Sequence, residues 1–121
     1  MTNQIYPVLK SLSSPDALSL DQFCPQVGSE FNLLLEASFG PRNDAGEEVF
    51  SFEICSPEWI KRQAGKGLLV GRHKIVAEKF DLAEITAFLD NLASRCAASS
   101  WPEAAQKLGQ YGHWEFEDYV P

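Results

Sequence analysis

Apolar and polar residues alternate most cleanly over residues 30–39. Phe31, Leu33, Leu35, Ala37 and Phe39 share one parity, and Asn32, Glu36 and Ser38 share the other. A period of two predicts a half-buried strand. Gly40-Pro41-Arg42-Asn43-Asp44-Ala45-Gly46 follows, dense in turn formers, and residues 47–55 alternate again with Phe50, Phe52 and Ile54 in register. The two runs predict a hairpin whose loop covers 40–46. Residues 4–12 (QIYPVLKSL) predict an earlier strand. Pro7 cannot donate a ladder hydrogen bond, which places that strand at a sheet edge. Between them, residues 13–28 read as a connection, with a short helical turn within 16–23.

The period changes after Cys55. Ser56-Pro57-Glu58 starts a helix, because serine caps free N–H groups, proline fits the first turn and glutamate suits the positive dipole end. That helix ends near Gly65, and the β-rich run around Ile75 and Val76 predicts a strand within 68–80. Asp81-Leu82-Ala83-Glu84 is a capping box. Beyond it Ile85, Phe88, Leu89, Leu92, Ala93 and Cys96 recur at spacings of three and four, predicting an amphipathic helix over 82–98. Ser100-Trp101-Pro102-Glu103 repeats the capping pattern for a last helix to Leu108, before Gly109 and Gly112. A strand-rich first half followed by helices predicts an α+β fold: an antiparallel sheet of about four strands with helices packed on one face. The other face would carry Asn32, Glu36 and Glu53. No repeat or linker divides the chain, so residues 1–121 form one domain.

Charge narrows the function classes. The chain carries 17 acids against 10 lysines and arginines, a net charge of −7. The excess lies in residues 1–60, where Lys10 and Arg42 are the only bases. Nucleic-acid binding needs a concentrated basic face, and none is visible. An acidic face suits a basic protein partner and speeds encounter with it. Residues 1–10 lack a charged region followed by a long apolar stretch, and no window approaches about 18 apolar residues. A cytoplasmic chain with no membrane contact is expected.

Catalytic patterns are thin. Cys24, Cys55 and Cys96 are widely spaced and odd in number, which predicts reduced core thiols rather than disulfides or a zinc site. A Cys55–His73 nucleophile pair is conceivable, though nothing in the sequence places the two together. His73 lies between Arg72 and Lys74, which would lower its pKa. Walker, GxGxxG, GxSxG and HExxH patterns are absent, and no cofactor or metal is predicted. The segment after His113 is distinctive, because Trp114, Phe116 and Tyr119 interleave with Glu115, Glu117 and Asp118. Aromatics of this kind are enriched at binding hot spots, and acids orient a partner. The plainer account has Trp114 and Phe116 pinning the chain to the core while the acids face water.

The chain resembles the immunity protein 8 family of bacterial polymorphic toxin systems. The resemblance is carried by Ser14-Pro15-Asp16, by Phe39-Gly40-Pro41 leading into Gly46-Glu47-Glu48, and by Phe52 through Cys55-Ser56-Pro57-Glu58-Trp59. It continues through Gly71-Arg72-His73, Phe80-Asp81 and Trp101 to the closing run Tyr111-Gly112-His113-Trp114-Glu115-Phe116-Glu117-Asp118-Tyr119. It implies a protein that neutralises a cognate toxin, often a nuclease, inside the producing cell or its siblings. No family-wide toxin-binding residues are implied. The charge pattern supplies its own candidates: the hairpin acids Asp44, Glu47 and Glu48, and the later set Glu115, Glu117, Asp118 and Tyr119. An enzyme using Cys55 or His73, and a structural subunit of a larger assembly, stay open as alternatives, as does the oligomeric state.

Overall fold

A computed structural model describes residues 4–17, 19–23 and 30–117. Five strands and three α-helices follow one another as β1 (Pro7–Ser13), β2 (Asn32–Pro41), β3 (Glu48–Cys55), α1 (Pro57–Ala64), β4 (Lys74–Val76), α2 (Leu82–Ser94), α3 (Trp101–Leu108) and β5 (His113–Trp114), with a short 3₁₀ turn at Leu20–Gln22. The α+β expectation holds. The sheet order is β1-β2-β3-β4, and β5 also pairs with β3.

The clean alternation of residues 31–39 translates directly into packing. Leu33, Leu35, Ala37 and Phe39 of β2 and Phe50, Phe52 and Ile54 of β3 are all buried. They meet Ile85, Leu89, Leu92 and Ala93 of α2 and Ala105 and Leu108 of α3 in one core. A fully buried large aliphatic or aromatic side chain contributes roughly 1.5–3 kcal/mol, so this layer dominates stability. Pro7 stands on edge strand β1, as its missing N–H requires. The helix starts are capped as the sequence indicates: the side chains of Ser56, Asp81 and Ser100 accept from the N–H groups of Trp59, Glu84 and Glu103. The Ser56 hydroxyl also accepts from Phe31 N–H at 2.9 Å, tying α1 to the start of β2.

Three elements differ from expectation. The strand within 68–80 shrinks to Lys74–Val76 and runs parallel to β3, the one parallel pair among the described strands. The chain leaves β3 through α1 and returns in the same direction, as a crossover helix dictates. Gly67 (φ 151°) and His73 (φ 60°) both take left-handed backbone conformations, which delays the extended run. Helix α2 stops at Ser94 because Ala98 exchanges two backbone hydrogen bonds with Ile5, pulling the chain out of the helix. His113 and Trp114 form a two-residue strand that no periodicity in the sequence marks, pairing with Ser51 and Phe50.

Candidate functional site

The outer edge of β3 is shared by two short strands. β4 covers Glu53–Cys55 and β5 covers Phe50 and Ser51. The pairing continues past β5, since Glu115 N–H donates to Val49 C=O at 3.1 Å. The Glu115 carboxylate in turn accepts from Val49 N–H at 3.0 Å. Two acidic regions more than sixty positions apart in sequence are thereby brought side by side at the mouth of the hairpin, with Glu115 against Val49 (a separation of 66).

The candidate acids divide by what they touch. Glu48 pairs with Phe39 across the hairpin and so shares the core-facing side of the sheet. Its carboxylate accepts from two indoles, Trp101 Nε1 at 2.8 Å and Trp114 Nε1 at 2.6 Å. Trp114 stacks on Phe50 at 6.3 Å between ring centroids, closing that end of the core. Glu117 accepts from Arg72 at 2.9 Å and pairs with His113 at 3.3 Å. Glu48 and Glu115 therefore fasten the segment after α3 to the sheet, and Glu117 ties it to Arg72 in the connection before β4. Asp44 and Glu47 are exposed in the hairpin loop. The Asp44 carboxylate accepts from Gly46 N–H at 3.4 Å, and its backbone oxygen accepts from the Lys10 ammonium. Glu47 makes no hydrogen bond or ion pair with the other described residues. Asp118 and Tyr119 lie outside the described residues, as does Cys24.

The conceivable nucleophile pair is not assembled. Cys55 is buried, and its thiol is contacted by Asn32 Nδ2 at 3.3 Å and by the backbone and side-chain oxygens of Glu53. Burial pushes the thiol up to about 11, so it is protonated at neutral pH. Burial also opposes ionisation of Glu53, but hydrogen bonds from Lys74 and Asn32 outweigh it and hold the carboxyl below its ordinary range. The His73 ring lies edge-on to His113 at 5.6 Å between centroids. Burial and the adjacent Arg72 lower its pKa, in the direction its neighbours in sequence indicate. Iodoacetamide at pH 8 is expected to leave Cys55 unlabelled in the folded chain and to label it after denaturation, read by peptide mass mapping. Rapid labelling of the folded chain would contradict this burial.

Sequence reasoning missed a second surface. Leu68 and Val70 are exposed on the connection between α1 and β4, and Val76, Phe88 and Tyr111 are also exposed. A groove of about 690 Å³ runs between β4 and α2, with Ile75, Phe88 and Tyr111 among its lining. The run Leu68-Leu69-Val70 looks like strand core by composition. Its flanking Gly67 and Gly71 were the signal that it is a loop. No helix among the described residues is long and apolar enough to cross a membrane. No group of three or more histidine, cysteine, aspartate or glutamate residues among them is placed to hold a metal ion.

The family model for Immunity protein 8 matches residues 7–119. No curated protein and no solved structure matches the chain.

Proposed function

Because the chain belongs to the Immunity protein 8 family, we propose that it binds one cognate bacterial toxin in the cytoplasm and blocks it, without catalysing a reaction. The toxin is a nuclease or another domain that acts in the cytosol, with a basic surface facing the hairpin acids. One observation carries the placement. The hairpin mouth and the segment after β5 converge at the β3 edge, and Asp44 and Glu47 project from that end into solvent. Glu48, Glu115 and Glu117 hold the strand beside this surface in place, and Glu115 is itself exposed. Asp118 and Tyr119 would extend it. Charge complementarity of this kind acts chiefly on the association rate. The catalytic alternative has less behind it, since the Cys55 thiol is buried and protonated and makes no hydrogen bond to a histidine among the described residues.

The test is co-expression and capture with the toxin domain encoded beside this chain. Wild-type protein should restore growth and form a one-to-one complex. A double reversal, Asp44→Lys with Glu47→Lys, should slow association about tenfold at low salt and lower the melting temperature by only about 2 °C, because both side chains are exposed and the one bond lost is the long Gly46 N–H contact of Asp44. An unchanged association rate would reject this placement while leaving the toxin-binding role intact. Absence of both capture and protection would reject the role.

A further inference from the structure

β4 is an open sheet edge. His73 C=O accepts from Glu53 N–H, and Ala77 N–H donates to Cys55 C=O, both at 2.9 Å. Alternate residues of a parallel strand bond to the same neighbour, so Ile75 also faces β3, and the N–H and C=O groups of Lys74 and Val76 point to the open side. Natural proteins seldom leave such an edge flat and apolar. Here both flanks are apolar. On the core side, the groove beside β4 is lined by Phe88 and Tyr111, each about half exposed. On the opposite side, Leu68 and Leu69 share a hollow with Val76.

We infer that the open edge of β4 and the two apolar flanks beside it receive an extended segment of the toxin, which adds a strand to the sheet and seats alternate apolar side chains in the groove and the hollow. This rests on the toxin-binding reading, and it names a surface separate from the hairpin acids. Charge selects the occupant. The stretch Lys66–Lys79 carries Lys66, Arg72, Lys74 and Lys79 against the single acid Glu78, in a chain whose net charge is −7. Arg72 and Lys74 are paired to Glu117 and Glu53, whereas Lys66 and Lys79 make no ion pair among the described residues. The segment therefore carries carboxylates toward Lys66 and Lys79, and none toward Asp81 and Glu84, which line the α2 side of the groove. A second copy of this chain fits less well, because two molecules of net charge −7 repel.

The experiment uses the toxin domain captured by co-expression and measures its affinity for three variants. Val76→Pro removes an outward N–H that makes no internal bond, and should weaken binding about tenfold or more with the melting temperature nearly unchanged. Phe88→Ser, on exposed helix surface, should do the same from the groove side. Lys66→Glu with Lys79→Glu should slow association. In the wild-type complex the Lys74 and Val76 amides should become protected from hydrogen exchange. Should Val76→Pro unfold, Phe88→Ser and the exchange measurement decide. Wild-type affinity in both single variants, or unprotected Lys74 and Val76 amides, would overturn the inference while capture by the wild-type chain preserves the role. A dimer of the free chain that Val76→Pro dissociates would assign the edge to a second copy and likewise overturn it. Failure of the wild-type chain to capture any toxin domain removes the role and this surface together.

Discussion

Replacing Gly112 with alanine is expected to lower the unfolding free energy by about 3 kcal/mol, the upper range for forcing extra volume into a packed core. The melting temperature should fall by about 10 °C. A Cβ built on Gly112 would lie 2.5 Å from Phe52 Cζ and within 2.8 Å of both Cε atoms. The ring cannot retreat easily, since Phe52 is buried on β3 and in edge contact with Phe39 at 6.5 Å. Gly112 is thus required by close approach between the α3–β5 turn and the core. The diagnostic is a double-mutant cycle. Phe52→Leu alone should destabilise, but in the Gly112→Ala background it should cost less, by about 1 kcal/mol. Thermal denaturation of the four proteins measures this. A Gly112→Ala chain that melts with the wild type, or strictly additive effects, would show that the contact does not limit packing.

Glu48→Ala is expected to cost about 2 kcal/mol, because it strands two indole N–H groups that now share one carboxylate. Glu48→Gln separates charge from geometry. An amide keeps one acceptor oxygen and turns an NH₂ toward the second indole, so about half of the loss should remain. Trp114 should respond more than Trp101, because it sits on two-residue β5 whereas Trp101 opens α3. Tryptophan fluorescence with denaturant titration reads both quantities. Equal stability of the wild type and Glu48→Ala would mean that stacking on Phe50 alone holds Trp114. Under the proposed role, toxin binding should weaken in Glu48→Ala only as far as the neighbouring strand loosens.

The sheet and helices were legible where one periodicity covered enough residues to be unmistakable. Phe31–Phe39 and the 82–93 stretch announce their buried faces, and Ser56, Asp81 and Ser100 mark helix starts that the structure keeps. What escaped depended on partners distant in sequence. β5 is too short to show a period, and becomes a strand because Phe50 and Ser51 offer it an edge. The parallel direction of β4 follows from the α1 crossover, which no local pattern encodes. Among the candidate acids, composition could not tell the exposed Asp44 and Glu47 from Glu48, whose role is set by indoles 53 and 66 positions away. Apolar residues that stay in water, such as Leu68 and Val70, are hidden by the same rule that finds the core.

The split covering of β3 also has a consequence for the timing of maturation. Glu48 and Trp114 are 66 positions apart, so at about 5–20 residues per second a ribosome needs about 3–13 s to synthesise the chain between them. During that interval the hairpin strands are completed first and α2 is synthesised later, while the Phe50–Ser51 stretch of β3 is without its covering strand. Each newborn molecule thus passes through a stage with an unshielded strand and an unstacked Phe50, open to chaperones or to another nascent copy. Closure of this end of the sheet comes late, when the indole of Trp114 reaches Glu48. Codons that slow translation between Glu48 and Trp114 would lengthen that stage without changing a single residue.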